Sequence, residues 1–275
     1  MENTQKKHSV RDFLKRKDIE ISARRYGIDA LGAMAQGLFA SLLIGTIIST
    51  LGEQFGLGIL IEIGKYAKEA TGAAMAVAIG YALKCPPLVL FSLIAVGGAS
   101  NALGGAGGQL AVLVVAIIAS EFGKAVSKET KLDIIVTPSV TIIIGVLLSM
   151  WWAPAIGTAA NAVGSAIMWA TELQPFFMGV IVSVLVGVAL TLPISSAAIC
   201  AAFGLTGLAG GAAVAGCCAQ MVGFAVMSFR ENRWGGLFAQ GIGTSMLQMG
   251  NIVRNPRIWI PPTVAAAITG PVATC

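Results

Sequence analysis

The sequence predicts an all-α polytopic membrane protein, and two observations lead to this fold class. Of its 275 residues, 56% are hydrophobic and only 11% are charged, whereas a soluble domain carries about 25% charged residues. The apolar residues also come in long blocks, which is the pattern of membrane-spanning segments. So little charge leaves too little polar surface to coat a water-soluble body, and a soluble globular protein is therefore excluded.

Residues 1–26 are predicted to be a basic amphipathic segment. Eight of the 18 basic residues precede the first apolar block: Lys6, Lys7, Arg11, Lys15, Arg16, Lys17, Arg24 and Arg25. Apolar residues are placed among them, which favours a helix resting on anionic lipid headgroups. Basic residues beside a first span mark the cytoplasmic side. We therefore predict a multi-pass protein of the cell membrane with a cytoplasmic amino-terminus.

This basic segment is neither a cleavable signal peptide nor a nucleic-acid-binding arm. It is polar for over twenty residues, and the apolar block after it is too long for the apolar region of a signal peptide. A basic groove with interleaved aromatic residues, as in proteins that bind nucleic acid, is missing from the sequence. We expect a lipid bilayer as the partner and no nucleic acid.

The first half of the chain alternates apolar and charged blocks. A first span is predicted at about residues 27–51, and residues 53–71 are too charged to cross, so an interfacial helix is predicted there. Residues 72–83 and 87–98 are each shorter than the ~20 residues of a straight span. They fit either two short helices or one helix broken at Pro86-Pro87.

The next blocks lead to a second predicted cytoplasmic loop. Residues 101–109 form a glycine-rich link before a helix at 110–122, and three lysines place the loop 124–133 in the cytoplasm. Residues 134–152 cross back and end on two tryptophans of an aromatic belt. For residues 153–174 we predict an external hairpin or another short helix.

The second half begins with a span at residues 175–192. Residues 193–227 are long enough for a re-entrant segment plus a span, and Arg230 to Arg233 form a charged loop. From residue 235 the sequence mixes polar and apolar residues and then becomes proline-rich. The stretch 175–275 is predicted to form a carboxyl-terminal membrane half that is incomplete at its end.

The polar segment 235–262 is the most unusual part of the chain. Its polar residues are Gln240, Thr244, Ser245, Gln248, Asn251, Arg254, Asn255 and Arg257. Unpaired polar groups are costly in hydrocarbon, and they are tolerated where the backbone lines a cavity or is buried in protein. Three prolines also break the helix and free carbonyl groups for a ligand. Both a re-entrant hairpin at a polar-solute site and an ordinary solvent loop with snorkelling arginines remain open.

Other candidate sites receive less weight. Paired glycines among the 34 glycines fit close helix packing or broken helices. Glu172 is a carboxylate between apolar blocks, but its neighbours favour an external loop. Asn101 and Gln109 flank the glycine-rich link. With a single histidine and no Cys-x-x-Cys pattern among five cysteines, we predict no metal ligand, no cofactor and no catalytic residue, and a self-contained membrane enzyme is the least supported class.

The polar segment resembles a family motif. It contains Gly241-Ile242-Gly243-Thr244-Ser245, then Asn255-Pro256, Ile260-Pro261 and Gly270-Pro271. This order of residues is similar to a sequence motif of the membrane subunits (enzyme IIC, EIIC) of the bacterial phosphotransferase system. In particular it looks like the divergent second EIIC family, which includes membrane regulators.

The resemblance implies an EIIC-like helical bundle with re-entrant hairpins and roughly 7–10 membrane segments. It implies that residues 27–174 are a scaffold and dimerisation half, that residues 175–275 bind substrate, and that the protein is a homodimer. Thr244, Ser245, Gln248, Asn251 and Asn255 would bind a sugar or polyol. A separate cytoplasmic IIB component would supply the phosphoryl group, so any enzymatic role is that of a phosphotransferase membrane subunit.

Thr244 occupies the place of the family's glutamate, and Ser245 that of its proline. A threonine hydroxyl can bind a ligand but cannot act as a base near neutral pH. The alternative to a permease subunit is therefore a membrane sensor on an EIIC scaffold without phosphotransfer. A channel is a weaker alternative, since no filter motif is present.

Overall fold

The computed structural model describes residues 11–274, and the regular structure in this range is helical throughout. The main helices are α1 (Arg25–Phe55), α2 (Gly58–Glu69), α3 (Thr71–Ala82), α4 (Pro87–Gly104), α5 (Gly108–Val126), α6 (Asp133–Thr171), α7 (Pro175–Thr191), α8 (Ser196–Ala202), α9 (Gly207–Met227), α10 (Phe229–Phe238), α11 (Met249–Arg254) and α12 (Ile260–Thr274). Four helical stretches are long and apolar enough to cross a membrane: α1, Pro87–Val126, α6 and α9. The predicted all-α membrane fold is confirmed.

Helix α1 forms a long antiparallel hairpin with α2 and α3. The chain reverses at Gly56, whose φ of +67° suits glycine. A Cβ on Gly64 would lie 2.4 Å from the carbonyl oxygen of Gly45, and one on Gly37 would lie 2.6 Å from that of Ala74. A helix within the stretch 53–71 is therefore observed as α2, packed along the carboxyl-terminal half of α1. Its interfacial position stays a prediction.

Helices α4 and α5 form a second antiparallel hairpin. Its tip is Gly105, with a φ of +50°, and a Cβ on Gly123 would meet the Val89 side chain at 2.7 Å. The stretch Pro87–Val126 thus folds back on itself instead of crossing once. Since α3 ends before Pro86 and α4 starts at Pro87, residues 72–98 form two separate helices, one of the two arrangements that the sequence left open.

Helix α6 corrects the prediction for residues 153–174. It runs unbroken for 39 residues through Pro138 and Pro154, so neither an external hairpin nor a separate short helix exists there. Its first part packs along α4, where the hydroxyls of Ser100 and Ser149 lie 2.7 Å apart. Its last part passes beyond the hairpin tip, and Gly164 there packs against the Phe203 ring.

Helices α7, α9 and α12 pack through small residues. A Cβ on Gly216 would lie 1.9 Å from the carbonyl oxygen of Ser183, and the Ser183 hydroxyl donates to the carbonyl of Ala266 over 2.7 Å. Such close backbone approach is how membrane helices gain packing energy where water provides no driving force. The short helix α8 is joined to the α4–α5 tip, since the Ser195 N–H donates to the carbonyl of Ala106 over 2.9 Å.

The buried side chains form two clusters. The first core unites α1, α3, α4 and α5, and it includes Met246 and Met249 of the polar segment. The second core unites α7, α8 and α9 with the last part of α6, including Ile167 and Ala170. Helix α6 and the polar segment therefore connect the two halves of the molecule.

One end of the molecule carries a cluster of charged residues. Arg25 donates to both carboxylate oxygens of Asp18, over 3.2 and 2.9 Å, and to the carbonyl of Leu83 over 2.8 Å. The buried Lys124 pairs with Glu121 over 2.8 Å and donates to the carbonyl of Asp18 over 2.9 Å. We call this the basic end.

Candidate functional site

The polar segment is a series of short turns whose middle part, residues 243–249, lies inside the protein. A π-helical turn at Ala239–Gly243 is followed by a 3-10 turn at Ser245–Gln248, by α11, and by a second 3-10 turn at Pro256–Trp259. Thr244, Ser245 and Gln248 are 3%, 0% and 6% exposed. This burial excludes an ordinary solvent loop for residues 244–249, and a broken helix buried in protein fits instead.

The segment reaches into the protein from the basic end. Helix α11 contacts the Arg25–Ala30 part of α1, and the turn Ser245–Gln248 contacts the Leu31–Leu38 part. At 1.5 Å per residue the Leu31–Leu38 part lies about 9–20 Å along α1 from Arg25. Gly243 lies deepest, because a Cβ on it would come within 2.6 Å of the Phe39 ring, in the π-helical turn Phe39–Leu43 of α1. Such π turns are common at functional sites.

Two hydroxyl groups fix the 3-10 turn in place. The Ser245 hydroxyl lies 2.8 Å from that of Thr191, at the end of α7. The Thr244 hydroxyl accepts from the backbone N–H of Met246 over 3.2 Å and so caps the turn. Thr244 and Ser245 therefore make structural contacts within the protein.

A chain of amide side chains runs from the end of α9 to α11. The Gln240 Nε2 donates to the Ser228 hydroxyl over 2.9 Å, and the Gln248 Nε2 donates to the Gln240 Oε1 over 3.1 Å. The Asn251 Nδ2 completes the chain by donating to the Gln248 Oε1 over 2.8 Å. Gln240 and Gln248 each donate one bond and accept another, so the orientation of both amides is fixed by their neighbours.

The amide chain borders an open pocket of about 330 Å³. Its lining residues are Phe224, Met227, Ser228, Glu231, Asn232, Gln248, Asn251 and Ile258. We call it the amide pocket. Glu231 is the only acidic residue in this lining. The pocket thus offers apolar walls with amide, hydroxyl and carboxylate groups, which is the usual composition of a small-molecule site.

The structure brings together only part of the predicted set. Gln248 and Asn251 line the amide pocket. Thr244 and Ser245 are buried in the protein and do not belong to the pocket lining. Asn255 is exposed, and its Oδ1 accepts from the backbone N–H of Arg257 over 3.3 Å. The role of all five residues in substrate binding stays a prediction.

Sequence reasoning did not select Ser228, Glu231 or Asn232 as site residues. The sequence predicts a charged loop at Arg230 to Arg233, and this is wrong, because the residues belong to α10 with a kink at Arg233 (φ +52°). The sequence signal that could have identified this site is the carboxylate of Glu231, which closely follows a long apolar helix. Gln240 is recognisable in the sequence as a polar residue of the segment. Its hydrogen bond to Ser228 could not be predicted, because the two residues belong to different structural elements.

The other polar candidates lie elsewhere. Asn101 and Gln109 sit beside the tip of the α4–α5 hairpin, and Glu172 is exposed in the turn between α6 and α7. The α4 helix has 18 residues and is therefore about 27 Å long. The tip of the α4–α5 hairpin lies at this distance from the basic end. These residues therefore belong to the opposite end of the molecule.

Comparison with known proteins identifies the family but no individual relative. No curated protein and no solved structure matches the chain. The family model described as "Phosphotransferase system, EIIC" matches residues 28–275. That range contains all the described helices after the start of α1, including the whole polar segment. The chain belongs to the phosphotransferase system EIIC family and is a membrane subunit of transporter type.

Proposed function

We propose that the chain binds a sugar or a similar polyol in the amide pocket and translocates it across the cell membrane. The amide chain that ends in this pocket is the observation that carries the proposal. Sugar hydroxyls both donate and accept hydrogen bonds, and the pocket presents amides that do both next to a carboxylate that accepts. Its volume of about 330 Å³ lies within the range of small-molecule sites.

Glu231 supplies the acidic group that the polar segment lacks at Thr244. Its carboxylate can accept a hydrogen bond from a sugar hydroxyl and can take the proton when that hydroxyl attacks a phosphoryl group. The phosphoryl group comes from a separate IIB component. The chain itself then binds and orients the sugar, which is a contribution of positioning.

The basic end faces the cytoplasm in this proposal. Arg16, Lys17, Lys84, Lys124 and Lys128 cluster there, in agreement with the excess of positive charge on cytoplasmic loops. The amide pocket adjoins α11, which contacts the first residues of α1. A cytoplasmic IIB component would therefore meet the sugar from the same side.

The proposal includes a homodimer of two-part subunits, with residues 27–174 as the scaffold half. Exposed apolar side chains on the outer part of the α1–α2 hairpin support it, since Phe55, Ile59 and Tyr66 are 72%, 70% and 70% exposed. A patch of this kind marks contact with protein or lipid. Cysteine crosslinking at Ile59 in native membranes tests the dimer, and an absence of a crosslinked pair there would contradict this interface.

A sensor without phosphotransfer is the second candidate. Thr244 favours it, because its hydroxyl caps the turn at Met246 and cannot serve as a base. The two functions differ in the effect of Glu231→Gln. A transporter variant would bind the sugar and lose IIB-dependent phosphorylation, whereas a sensor would show no phosphorylation in the wild type either.

The test is a thermal-shift screen of the purified full chain in detergent against sugars, polyols and sugar phosphates. A ligand at about 100 times its dissociation constant stabilises by about 2.7 kcal/mol in the two-state limit. Asn251→Ala, in the pocket, is compared with Asn255→Ala, an exposed asparagine outside its lining. We expect only Asn251→Ala to remove the shift.

Two outcomes contradict the pocket assignment. If Asn255→Ala removes the shift as fully as Asn251→Ala, the solute binds at the turn that follows α11. If no sugar, polyol or sugar phosphate shifts the wild type but another class of solute does, the family scaffold carries a different function.

A further inference from the structure

A second pocket at the basic end has a strong excess of positive charge. It has a volume of about 390 Å³ and is lined by Arg16, Lys17, Asp18, Lys84, Pro86, Lys124, Ser127, Lys128 and Glu129. This lining contains five basic residues and two acidic residues. We call it the lysine pocket. It shares no residue with the amide pocket.

Three of the five cations are already neutralised or held by the protein. Arg16 pairs with Glu129 over 2.8 Å, and Lys17 pairs with the same carboxylate and donates to the carbonyl of Ser127. Lys124 pairs with Glu121 over 2.8 Å. Two carboxylates, Glu129 and Glu121, thus hold these three cations within the fold.

The remaining two cations, Lys84 and Lys128, have no such partner. Within residues 11–274, neither ammonium group takes part in a hydrogen bond or an ion pair, and both side chains are exposed at the pocket. Asp18 and Asp133 interact with the ammonium groups of Lys84 and Lys128 only through space, so both ammonium groups can still donate to an anion with several acceptor oxygens.

The backbone at these two lysines is unusual. Lys84 follows α3 with a φ of +57°, and Lys128 follows α5 with a φ of +61°. This left-handed conformation after a helix is normally occupied by glycine or asparagine, because other side chains are strained there. Glycine would therefore relieve the backbone strain at both positions, where this chain has lysine.

Apolar residues beside the pocket place it near a membrane surface. Tyr81 is 78% exposed, Phe122 49%, Leu132 62% and Ile134 73%. They lie at the same ends of α3, α5 and α6 as the pocket. Exposed aromatic and aliphatic side chains next to lysines are typical of the headgroup level of a bilayer, where lipid phosphates lie.

We propose that the lysine pocket binds a phosphate group through Lys84 and Lys128, as the headgroup phosphate of an anionic lipid or as free phosphate. The non-bridging oxygens, two on a lipid phosphodiester and more on free phosphate, can accept hydrogen bonds from both ammonium groups. Each lysine near an anionic surface contributes about 1 kcal/mol, so removing both weakens binding roughly 30-fold.

The test uses the full chain with Lys84→Gly and Lys128→Gly combined. Glycine adopts a positive φ without strain, so this variant is expected to fold at least as well as the wild type. The matched control combines Lys65→Gln with Lys131→Gln, two exposed lysines outside the pocket. Both variants remove two positive charges.

Two probes separate the sources of the phosphate. One arm measures thermal stabilisation in phosphatidylcholine nanodiscs without and with phosphatidylglycerol. The other titrates the detergent-solubilised chain with inorganic phosphate, with chloride at the same ionic strength as reference. A response in the first arm alone identifies a lipid headgroup, and a response in the second identifies free phosphate.

The proposal holds if the glycine variant loses the response in either arm while the control pair keeps it. It is overturned if the wild type responds to neither probe, or if the control pair loses the response equally, since that would show general attraction to a positive surface. The result does not depend on whether the amide pocket binds a sugar.

Discussion

The hydroxyl groups of Thr191 and Ser245 lie 2.8 Å apart and join the end of α7 to the 3-10 turn of the polar segment. Both residues are 0% exposed. Thr191 also donates to the carbonyl of Gly187 over 3.2 Å. The pair therefore fixes the depth at which the polar segment stops inside the protein.

We expect the two hydroxyls to be energetically coupled. A double-mutant cycle of Thr191→Val and Ser245→Ala should give a coupling free energy of about 1 kcal/mol, since each single change leaves one buried hydroxyl without its partner. The measurement is reversible unfolding in detergent. Strict additivity of the two changes would show that the bond contributes nothing.

Gln240 should act on solute binding without lining the amide pocket. Gln240→Met preserves the volume but removes its bonds to Ser228 and Gln248, so the Gln248 amide loses its fixed orientation. We expect weaker binding, by about fivefold to tenfold for one lost buried hydrogen bond. Titration of a bound sugar measures it, with the exposed Gln54→Met as control. Equal affinities of the Gln240 variant and the wild type would contradict the role of the amide chain.

Gly216 should tolerate no side chain. In Gly216→Ala the new Cβ would lie 1.9 Å from the carbonyl oxygen of Ser183, and helices α7 and α9 would have to separate. Overpacking of this kind costs about 1–3 kcal/mol or more. A fall in the unfolding temperature is expected.

The matched control is Gly98→Ala within α4, where a new Cβ meets no atom within 4 Å. Alanine is the better helix former by about 1 kcal/mol, so this variant should be as stable as the wild type or more so. A similar loss of stability in both variants would show that the close contact at Gly216 is not the cause.

The bond between Arg25 and Asp18 should make stability depend on pH. The hydrogen bond from the Arg25 guanidinium holds the pKa of the Asp18 carboxyl below its ordinary 3.8. A carboxyl whose pKa is lowered by folding contributes stability above its unfolded pKa, and loses it as the pH falls through the native pKa. Because the Asp18 side chain is 46% exposed, the effect is small.

We therefore expect Asp18→Asn to lower the unfolding temperature at pH 7, and the difference from the wild type to shrink below pH 3.8. Thermal unfolding from pH 7 to pH 3 measures it, with Asp12→Asn as an exposed control in the same segment. A difference that stays constant over this range would contradict the pair.

Composition and apolar block length predicted the helical membrane fold, because these properties sum over many residues. They could not predict the continuity of α6. A proline normally ends a helix, since its ring removes a donor and crowds the preceding turn. Around Pro154 the helix continues, and the Thr158 hydroxyl donates to the Pro154 carbonyl over 2.9 Å, as membrane helices allow.

The candidate site was predictable only in part for a similar reason. Gln248 and Asn251 are conspicuous as amides in apolar sequence, so local pattern selected them. Asn255 has similar neighbours, but it follows the end of α11 and lies outside the pocket lining, which the local sequence pattern does not predict. Glu231 was hidden by its arginine neighbours, because its approach to the polar segment depends on the folding of α10 against α9.

The length of α6 has a mechanical consequence. At 39 residues it extends about 58 Å, its last part belongs to the second core, and its Leu148 packs against the first. The two halves cannot rotate relative to each other as independent bodies unless this rod bends. The Met150 carbonyl lacks the N–H that Pro154 would otherwise donate, so the resistance to bending is lowest at that turn. If the two halves move to expose a solute alternately to the two sides of the membrane, α6 would therefore bend at Pro154. This residue lies between the Ser100–Ser149 contact and the Gly164–Phe203 contact.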